Sequence, residues 1–151
     1  MSKKKMETLL AQGGCRRDDP TGAISTPIYQ SATFKHLEYG VSTGYDYSRT
    51  ANPTRTEVEQ VLAETEGGDG GFAFASGMAA VTAVLMLYRA GDHLVVCDDL
   101  YGGTYRVLEQ SFKQFGLTAS YVDLANLDAV KAAVDPARTR AILVETPTNP
   151  L

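Results

Sequence analysis

The sequence predicts an α/β fold with a largely parallel sheet and helices on both faces. From residue 53 onward, short apolar runs of strand length alternate with longer segments of helical periodicity. Glycines separate these segments, at Gly67-Gly68, Gly91 and Gly102-Gly103. The 151 residues, 44% of them apolar and 21% charged, suffice for one globular domain with a hydrophobic core.

Charge and composition exclude several classes of protein. Fourteen basic and eighteen acidic residues give a net charge of −4, and no basic stripe extends beyond Lys3–Lys5, so a nucleic-acid partner is disfavoured. No apolar run reaches the ~18 residues of a membrane span, and the N-terminus lacks the apolar core of a secretion signal. Cys15, Cys97, His36 and His93 lack metal-ligand spacing, so we expect a cytoplasmic protein with free thiols and no metal.

Residues 1–52 are predicted to form an arm that contacts a neighbouring subunit. After a short helix at Met6–Ala11, this stretch shows no sustained periodicity and many turn-forming residues. Its aromatic residues are too many for a solvated tail: Tyr29, Phe34, Tyr39, Tyr45 and Tyr47. We expect the large domain to begin at residue 53.

The remaining elements follow in chain order. Thr54–Glu57 is typical of a capping box and predicts an amphipathic helix that ends at Gly67-Gly68. Phe72–Ala75 predicts a strand, and Met78–Tyr88 is apolar on nearly every side, which predicts a buried helix. The later predicted elements are a strand at His93–Cys97, a helix at Tyr105–Phe115, a strand at Leu117–Val122, a helix at Leu127–Val134 and a strand at Ala141–Val144.

The turn at Ser76-Gly77 is the first candidate for a ligand site. The first N–H groups of the helix that follows lack intrahelical partners and carry the positive end of its dipole, which suits a phosphate. At Gly77 a phosphate oxygen could approach the backbone without meeting a side chain. An ordinary strand–turn–helix connection is the alternative.

Two further candidates lie where other strands end, because ligands of open α/β sheets bind beyond the carboxyl ends of the strands. In Asp98–Gly103, the ring of Tyr101 could lie across a planar ligand or merely cover the sheet edge. In Glu145–Asn149, the amide of Asn149 stands between two prolines and could bond a ligand oxygen, or it could be a plain turn residue.

Tyr47 and Arg49 form another pair of candidates in the arm. In an extended segment the phenol and the guanidinium would lie on one side, as a phosphate clamp or as a simple surface pair. Competing motifs are absent from the sequence, which contains no G-x-G-x-x-G, no P-loop and no G-x-S-x-G.

Four motifs occur in an order and spacing that resemble one enzyme family: Tyr47–Thr54, Ala75–Ala80, Asp99–Thr104 and Glu145–Pro150. From about Gly22 onward the chain is similar to the pyridoxal-phosphate trans-sulfuration enzymes of cysteine and methionine metabolism. The resemblance implies the N-terminal part of a fold-type I transferase, with a large domain like that of aspartate aminotransferase.

The resemblance also implies a role for each candidate in binding pyridoxal phosphate. Gly77 and Met78 would bind its phosphate through backbone N–H groups, and Tyr47 and Arg49 would reach that phosphate from the neighbouring subunit. Such sharing implies an oligomer, a homotetramer built as a dimer of dimers.

Ring and substrate contacts follow in the same way from the resemblance. Tyr101 would stack on the pyridine ring and take part in proton transfer, and Asn149 would bond the 3′ oxygen of that ring. Arg49, Tyr101 and Arg106 would lie near the amino-acid substrate.

The family implies β- or γ-elimination or replacement on sulfur amino acids. Cystathionine γ-synthase or a cystathionine β- or γ-lyase is favoured, because methionine γ-lyases usually carry cysteine where this chain has Gly103. O-acetylhomoserine sulfhydrylase and methionine γ-lyase remain alternatives.

The family's cofactor-binding lysine, its aspartate at the pyridine nitrogen and its carboxylate-binding arginine find no counterpart here. Lys35, Lys113 and Lys131 stand in the wrong contexts, an arm and two amphipathic helices. We therefore expect an N-terminal fragment that is inactive alone. A non-catalytic phosphate-binding or assembly fragment is the alternative of another class.

Overall fold

A computed structural model describes residues 5–15 and 21–148. The chain forms two compact units, one up to Ala73 and one from Phe74 onward. The division into an arm of residues 1–52 and a domain from residue 53 stays a prediction. Within the described ranges, no helix is long and apolar enough to cross a membrane.

The first unit contains two helices, α1 at Met6–Gln12 and α2 at Pro53–Glu66. Between them the chain folds back on itself without forming a regular strand. Thr33 and Tyr47 make an antiparallel bridge, and the N–H of Phe34 donates to the carbonyl of Asp46 at 3.0 Å. The predicted arm is thus an ordered loop that brings residues near 33 and 47 together.

Helix α2 starts at a different cap from the predicted capping box. The side chain of Asn52 accepts a hydrogen bond from the N–H of Thr54 at 2.8 Å, and Pro53 occupies the first helical position. The capping box at Thr54–Glu57 is therefore wrong, because Pro53 already has helical geometry and moves the cap back by two residues. The C-terminus is as predicted, with Gly67 at φ 66°.

The second unit is built around a three-stranded parallel sheet. Its elements are α3 at Gly77–Leu85, β1 at His93–Cys97, α4 at Gly102–Arg106, β2 at Thr118–Val122, α5 at Leu127–Ala133 and β3 at Thr139–Leu143. The strand order is β2-β1-β3, with both pairings parallel. This architecture confirms the predicted α/β fold class.

The central strand β1 is buried along its whole length. Side chains alternate along a strand, so Leu94 and Val96 point to one face of the sheet. They form the core with Leu85, Leu108 and Leu117. Val95, on the opposite face, is also fully buried, which accounts for a continuous apolar run in place of polar alternation.

A buried histidine links the three strands. In the His93 ring, Nδ1 lies 2.8 Å from Oγ1 of Thr139 on β3, and Nε2 lies 3.0 Å from Oγ of Ser120 on β2. The same Thr139 oxygen accepts the N–H of Asp135 at 2.8 Å. His93 thus has a structural role, as its place at the start of a strand suggested.

The strand predicted at Phe72–Ala75 is not formed. A strand needs a neighbour for its N–H and C=O groups, and no described residue pairs with this run. The N–H of Ala73 donates instead to the Glu59 carboxylate of α2 at 2.9 Å.

Helix α3 is shorter and less buried than predicted. It ends at Leu85, the one of its nine residues that is fully buried, while Val84, Met86 and Leu87 are 48%, 72% and 76% exposed. The prediction of a buried helix is therefore wrong for these residues, because the described chain covers one side of α3 only.

The helix begun by α4 continues as a π turn at Val107–Ser111 and a 3-10 turn at Phe112–Phe115. Within it, Glu109 accepts hydrogen bonds from Lys113 at 2.7 Å and from the Tyr121 hydroxyl of β2 at 3.0 Å. The bond from Lys113, followed by that from Tyr121, lowers the pKa of Glu109. Burial, followed by the bond to Glu109, raises the pKa of Tyr121.

Above pH 10, the free energy of unfolding should fall more steeply in the wild-type chain than in a Tyr121→Phe variant. A phenol whose pKa is raised by folding stabilises the protein fully below its unfolded pKa of about 10, and this contribution is lost as the pH rises. Urea denaturation of both proteins between about pH 9 and 11 measures the difference. Parallel pH profiles would contradict the assignment.

Candidate functional site

The corner before α3 has its own N-cap, which satisfies part of the helix terminus. The Ser76 hydroxyl accepts the N–H of Ala79 at 3.1 Å, and the Ser76 carbonyl accepts the N–H of Ala80 at the same distance. The N–H groups of Gly77 and Met78 bond to none of the described residues. The corner thus keeps two backbone donors at the positive end of a nine-residue helix.

Gly77 is not required by the packing or the backbone conformation of the described chain. A Cβ built on it meets no atom within 4 Å, and its φ lies outside the left-handed region. Glycine in a helix costs roughly 0.5–1 kcal/mol relative to alanine. A glycine that the fold itself does not need fits a corner that a ligand approaches closely.

A cavity of about 450 Å³ adjoins this corner. Its lining comes from the start of α3, the loop after β1, the first turn of α4 and the loop after β3, and consists of Ser76, Gly77, Met78, Val81, Tyr101, Thr104 and Glu145. Two of these loops follow neighbouring parallel strands, so the cavity lies at the carboxyl edge of the sheet. Gly77, Met78 and Tyr101, three of the predicted site residues, therefore lie together.

Tyr101 is held by its backbone on both sides. Its N–H donates to the Glu145 carboxylate at 2.9 Å, and its carbonyl accepts the N–H of Thr104 at 2.9 Å in the first turn of α4. The side chain of Tyr101 is 42% exposed. A half-exposed ring on a fixed backbone can stack on a planar ligand in the cavity.

The charge in the cavity comes from a single side chain. Among the described lining residues only Glu145 is ionisable as a carboxylate, and it is engaged by the N–H of Tyr101. The attraction for an anion therefore comes from the N–H groups and dipole of α3, and a cation from elsewhere would strengthen it.

Three cavity residues were missed as candidates by sequence reasoning: Val81, Thr104 and Glu145. Glu145 and Thr104 stand inside two of the motifs quoted above, so a signal existed. Nothing in the sequence alone shows that the Glu145 carboxylate spans two loops to reach the backbone of Tyr101.

Tyr47 and Arg49 lie together in the first unit. The guanidinium carbon of Arg49 is 4.9 Å from the centre of the Tyr47 ring, a cation–π distance. A turn brings them together, in which the N–H groups of Thr50 and Ala51 donate to the Tyr47 carbonyl, so the expectation of an extended segment is wrong. The side chains still form one phenol–guanidinium pair.

The last two predicted residues differ in what can be said of them. Arg106 ends α4, and its Nη1 lies 3.7 Å from the point that a Cβ on Gly102 would occupy, which places the guanidinium near the loop after β1. Asn149 lies outside the described residues. No group of acidic, histidine or cysteine residues in the described ranges could hold a metal.

A second cavity, of about 500 Å³, lies against α2 in the first unit. Its lining includes the carboxylates of Glu59, Glu64 and Asp69 and no basic side chain. Such a surface repels a phosphate, so the corner of α3 is the better candidate for an anionic ligand.

Comparison with known proteins gives the class of protein to which this fold and corner belong. A family model described as "Cys/Met metabolism PLP-dependent enzyme" matches residues 7–151. The chain belongs to this family of pyridoxal-phosphate-dependent enzymes, which confirms the resemblance noted in the sequence.

Particular relatives narrow the comparison. Over 147 residues the chain is 52% identical to cystathionine gamma-lyase of Bacillus subtilis, covering 97% of this chain and 38% of that protein. It is 50% identical to cystathionine gamma-synthase of Haemophilus influenzae, covering 97% and 40%. The crystal structure of cystathionine gamma-lyase from Lactobacillus plantarum, complexed with L-serine, superposes with a TM-score of 0.87 at 51% identity, covering 98% of this chain and 38% of that one. The chain therefore spans about two-fifths of the length of these relatives.

Proposed function

We propose that this chain is part of a pyridoxal-phosphate-dependent trans-sulfuration enzyme that acts on cystathionine. The observation that carries the proposal is the α3 corner, where two backbone N–H groups without partners adjoin a cavity with a half-exposed tyrosine. A phosphate fits the N–H groups, and a planar ring fits the tyrosine. The names of the relatives support the choice of cystathionine.

The phosphate of the cofactor would be held mainly by backbone. Gly77 and Met78 would donate their N–H groups to it, and the absent side chain at Gly77 would leave room for its oxygens. Tyr47 and Arg49 of a neighbouring subunit would close over the same phosphate, because their paired phenol and guanidinium offer a donor and a positive charge.

The remaining candidates would act on the ring and the substrate. Bound pyridoxal phosphate supplies an electron sink for the cleavage and formation of C–S bonds. Tyr101 would stack on its ring and hold or move a proton at its hydroxyl oxygen, and Asn149 would bond the 3′ oxygen. Arg49 and Arg106 would attract the carboxylate of an amino-acid substrate.

Residues 1–151 alone should be catalytically inactive. The family's reaction needs a lysine at the cofactor, and neither Lys113 nor Lys131 lines the α3 cavity. Lys113 pairs with Glu109 at 2.7 Å, and Lys131 lies 3.6 Å from Asp128. Assays of the full-length gene product with cystathionine, and with O-acylhomoserine plus cysteine or sulfide, would separate cystathionine enzymes from a sulfhydrylase.

Sharing of the site between subunits would make the enzyme an oligomer, and we propose a homotetramer built as a dimer of dimers. The exposure of large apolar residues along the ordered loop of the first unit supports a partner there, with Ile24, Ile28, Leu37 and Tyr39 each at least 68% exposed. The free thiols Cys15 and Cys97 suit a reducing cytoplasm.

Hybrid oligomers test the shared site. We expect Arg49→Ala and Gly77→Asp variants of the full-length protein each to bind little pyridoxal phosphate when expressed separately. Co-expressed in equal amounts, they should recover about one site in four, because half of randomly formed dimers are hybrids and each hybrid has one intact site. Cofactor content per chain after gel filtration measures the recovery.

Recovery depends on the arm serving the neighbouring chain. If Arg49 served its own chain, a hybrid would contain no intact site and co-expression would restore nothing. If the Arg49→Ala variant bound the cofactor as the wild type does, Arg49 would have no part in the site.

A further inference from the structure

Gly103 is buried at a point where two side chains of the α3 cavity meet. A Cβ built on Gly103 would lie 2.4 Å from Cε1 and 3.0 Å from Cδ1 of Tyr101, and 3.0 Å from Sδ of Met78. Real Cβ atoms essentially never approach a ring carbon so closely, because repulsion rises steeply inside van der Waals contact. The Tyr101 ring thus occupies the volume that any side chain at position 103 would take.

Backbone conformation does not explain this glycine. Gly103 lies in the first turn of α4 with φ outside the left-handed region, so alanine could adopt its geometry. Glycine also weakens a helix relative to alanine. What position 103 provides is therefore space, and the Tyr101 ring uses that space.

The ring has little other freedom to move away. The N–H of Tyr101 is bound to Glu145 at 2.9 Å, and its carbonyl accepts the N–H groups of Thr104 and Tyr105 at 2.9 and 3.2 Å. With the backbone fixed on both sides, a Cβ at position 103 would have to be relieved by rotating the ring about its side-chain torsions. Such a rotation changes where the ring lies in the cavity.

We propose that Gly103 is a positioning residue for Tyr101: the absence of a side chain at position 103 sets the place of the ring against the cofactor. This inference rests on the proposed function, in which Tyr101 stacks on pyridoxal phosphate. It extends that function by assigning to residue 103 control over the ring contact, although Gly103 itself touches neither cofactor nor substrate.

The test compares Gly103→Ala with Gly102→Ala in the full-length holoenzyme. The two substitutions are chemically identical and adjacent, but a Cβ on Gly102 meets only the flexible end of Arg106 at 3.7 Å. We expect Gly103→Ala to change the visible circular dichroism of the bound cofactor and to weaken its binding by about tenfold, while Gly102→Ala changes neither by more than about twofold.

A double-mutant cycle shows whether the effect passes through Tyr101. In a Tyr101→Ala background no ring remains to be displaced, so adding Gly103→Ala should change cofactor affinity by less than about twofold. Far-UV circular dichroism and melting temperature establish that each variant is folded. If Gly103→Ala does not fold, Gly103→Ala in the Tyr101→Ala background should fold, because the clash with the ring is gone.

Two outcomes separate this inference from the proposed function. Equal behaviour of Gly103→Ala and Gly102→Ala in a protein that binds the cofactor, with Tyr101→Ala altering its spectrum, would overturn the inference alone. Loss of affinity of the same size with and without the Tyr101 ring would overturn it also. Absence of cofactor binding by the wild-type protein would overturn the proposed function itself.

Discussion

A Gly77→Asp variant of the full-length protein is expected to lose affinity for pyridoxal phosphate by about a hundredfold or more. The new carboxylate would stand beside the N–H groups proposed to hold the phosphate, and two like charges at a few ångströms in a partly buried corner repel by several kcal/mol. A side chain would also enter the space in front of those groups. Equilibrium titration with pyridoxal phosphate, followed by absorbance, measures the loss.

The same substitution should not destabilise the fold, and this separates binding from folding. An acidic residue in the first turn of a helix is stabilising by roughly 0.3–1 kcal/mol, and replacing glycine removes an entropic cost. The matched control is Gly70→Asp, where a Cβ also meets no atom within 4 Å and φ is also not left-handed. Retained affinity in Gly77→Asp, or equal loss in both variants, would contradict the proposed phosphate site.

Leu94→Ala is expected to lower the free energy of unfolding by roughly 2–5 kcal/mol, a large part of the stability of a small domain. Leu94 is 1% exposed on the central strand and belongs to the core cluster of α3, α4 and β1. Truncating it removes buried apolar surface and leaves a cavity that a paired strand cannot close. Urea denaturation of the chain, monitored by circular dichroism, measures the change.

Leu87→Ala is the control for this substitution, since it removes the same atoms from a side chain that is 76% exposed. We expect it to change the free energy of unfolding by no more than about 0.5 kcal/mol. A similar loss in both variants would mean that β1 is not the centre of the core.

Sequence reasoning succeeded where local pattern and burial agree. The run at His93–Cys97 was predicted with the bounds that the structure shows, because five residues buried on both faces give an uninterrupted signal. The helix end at Gly67 followed from the left-handed conformation that glycine adopts readily. In both places, one short segment contains all the information needed.

It failed where the outcome depends on residues distant in the chain. Phe72–Ala75 has the alternation of a strand but finds no strand beside it among the described residues. The Glu145 carboxylate reaches Tyr101 across 44 positions of sequence, which no local pattern encodes. Positions such as Gly103, where one side chain excludes another, become visible only when both are placed in space.

The hydrogen bonds of His93 have a consequence at the opposite end of the sheet. Strand β3 pairs with β1 through an irregularity between His93 and Leu94, where Arg140 is skipped, and the Thr139–His93 bond lies at that step. A slip of one residue would move the rest of β3 by about 3.3 Å and turn its side chains over. Glu145 would then miss the backbone of Tyr101. Alignment of the ligand corner is thus decided some five residues earlier, by an imidazole that no ligand touches.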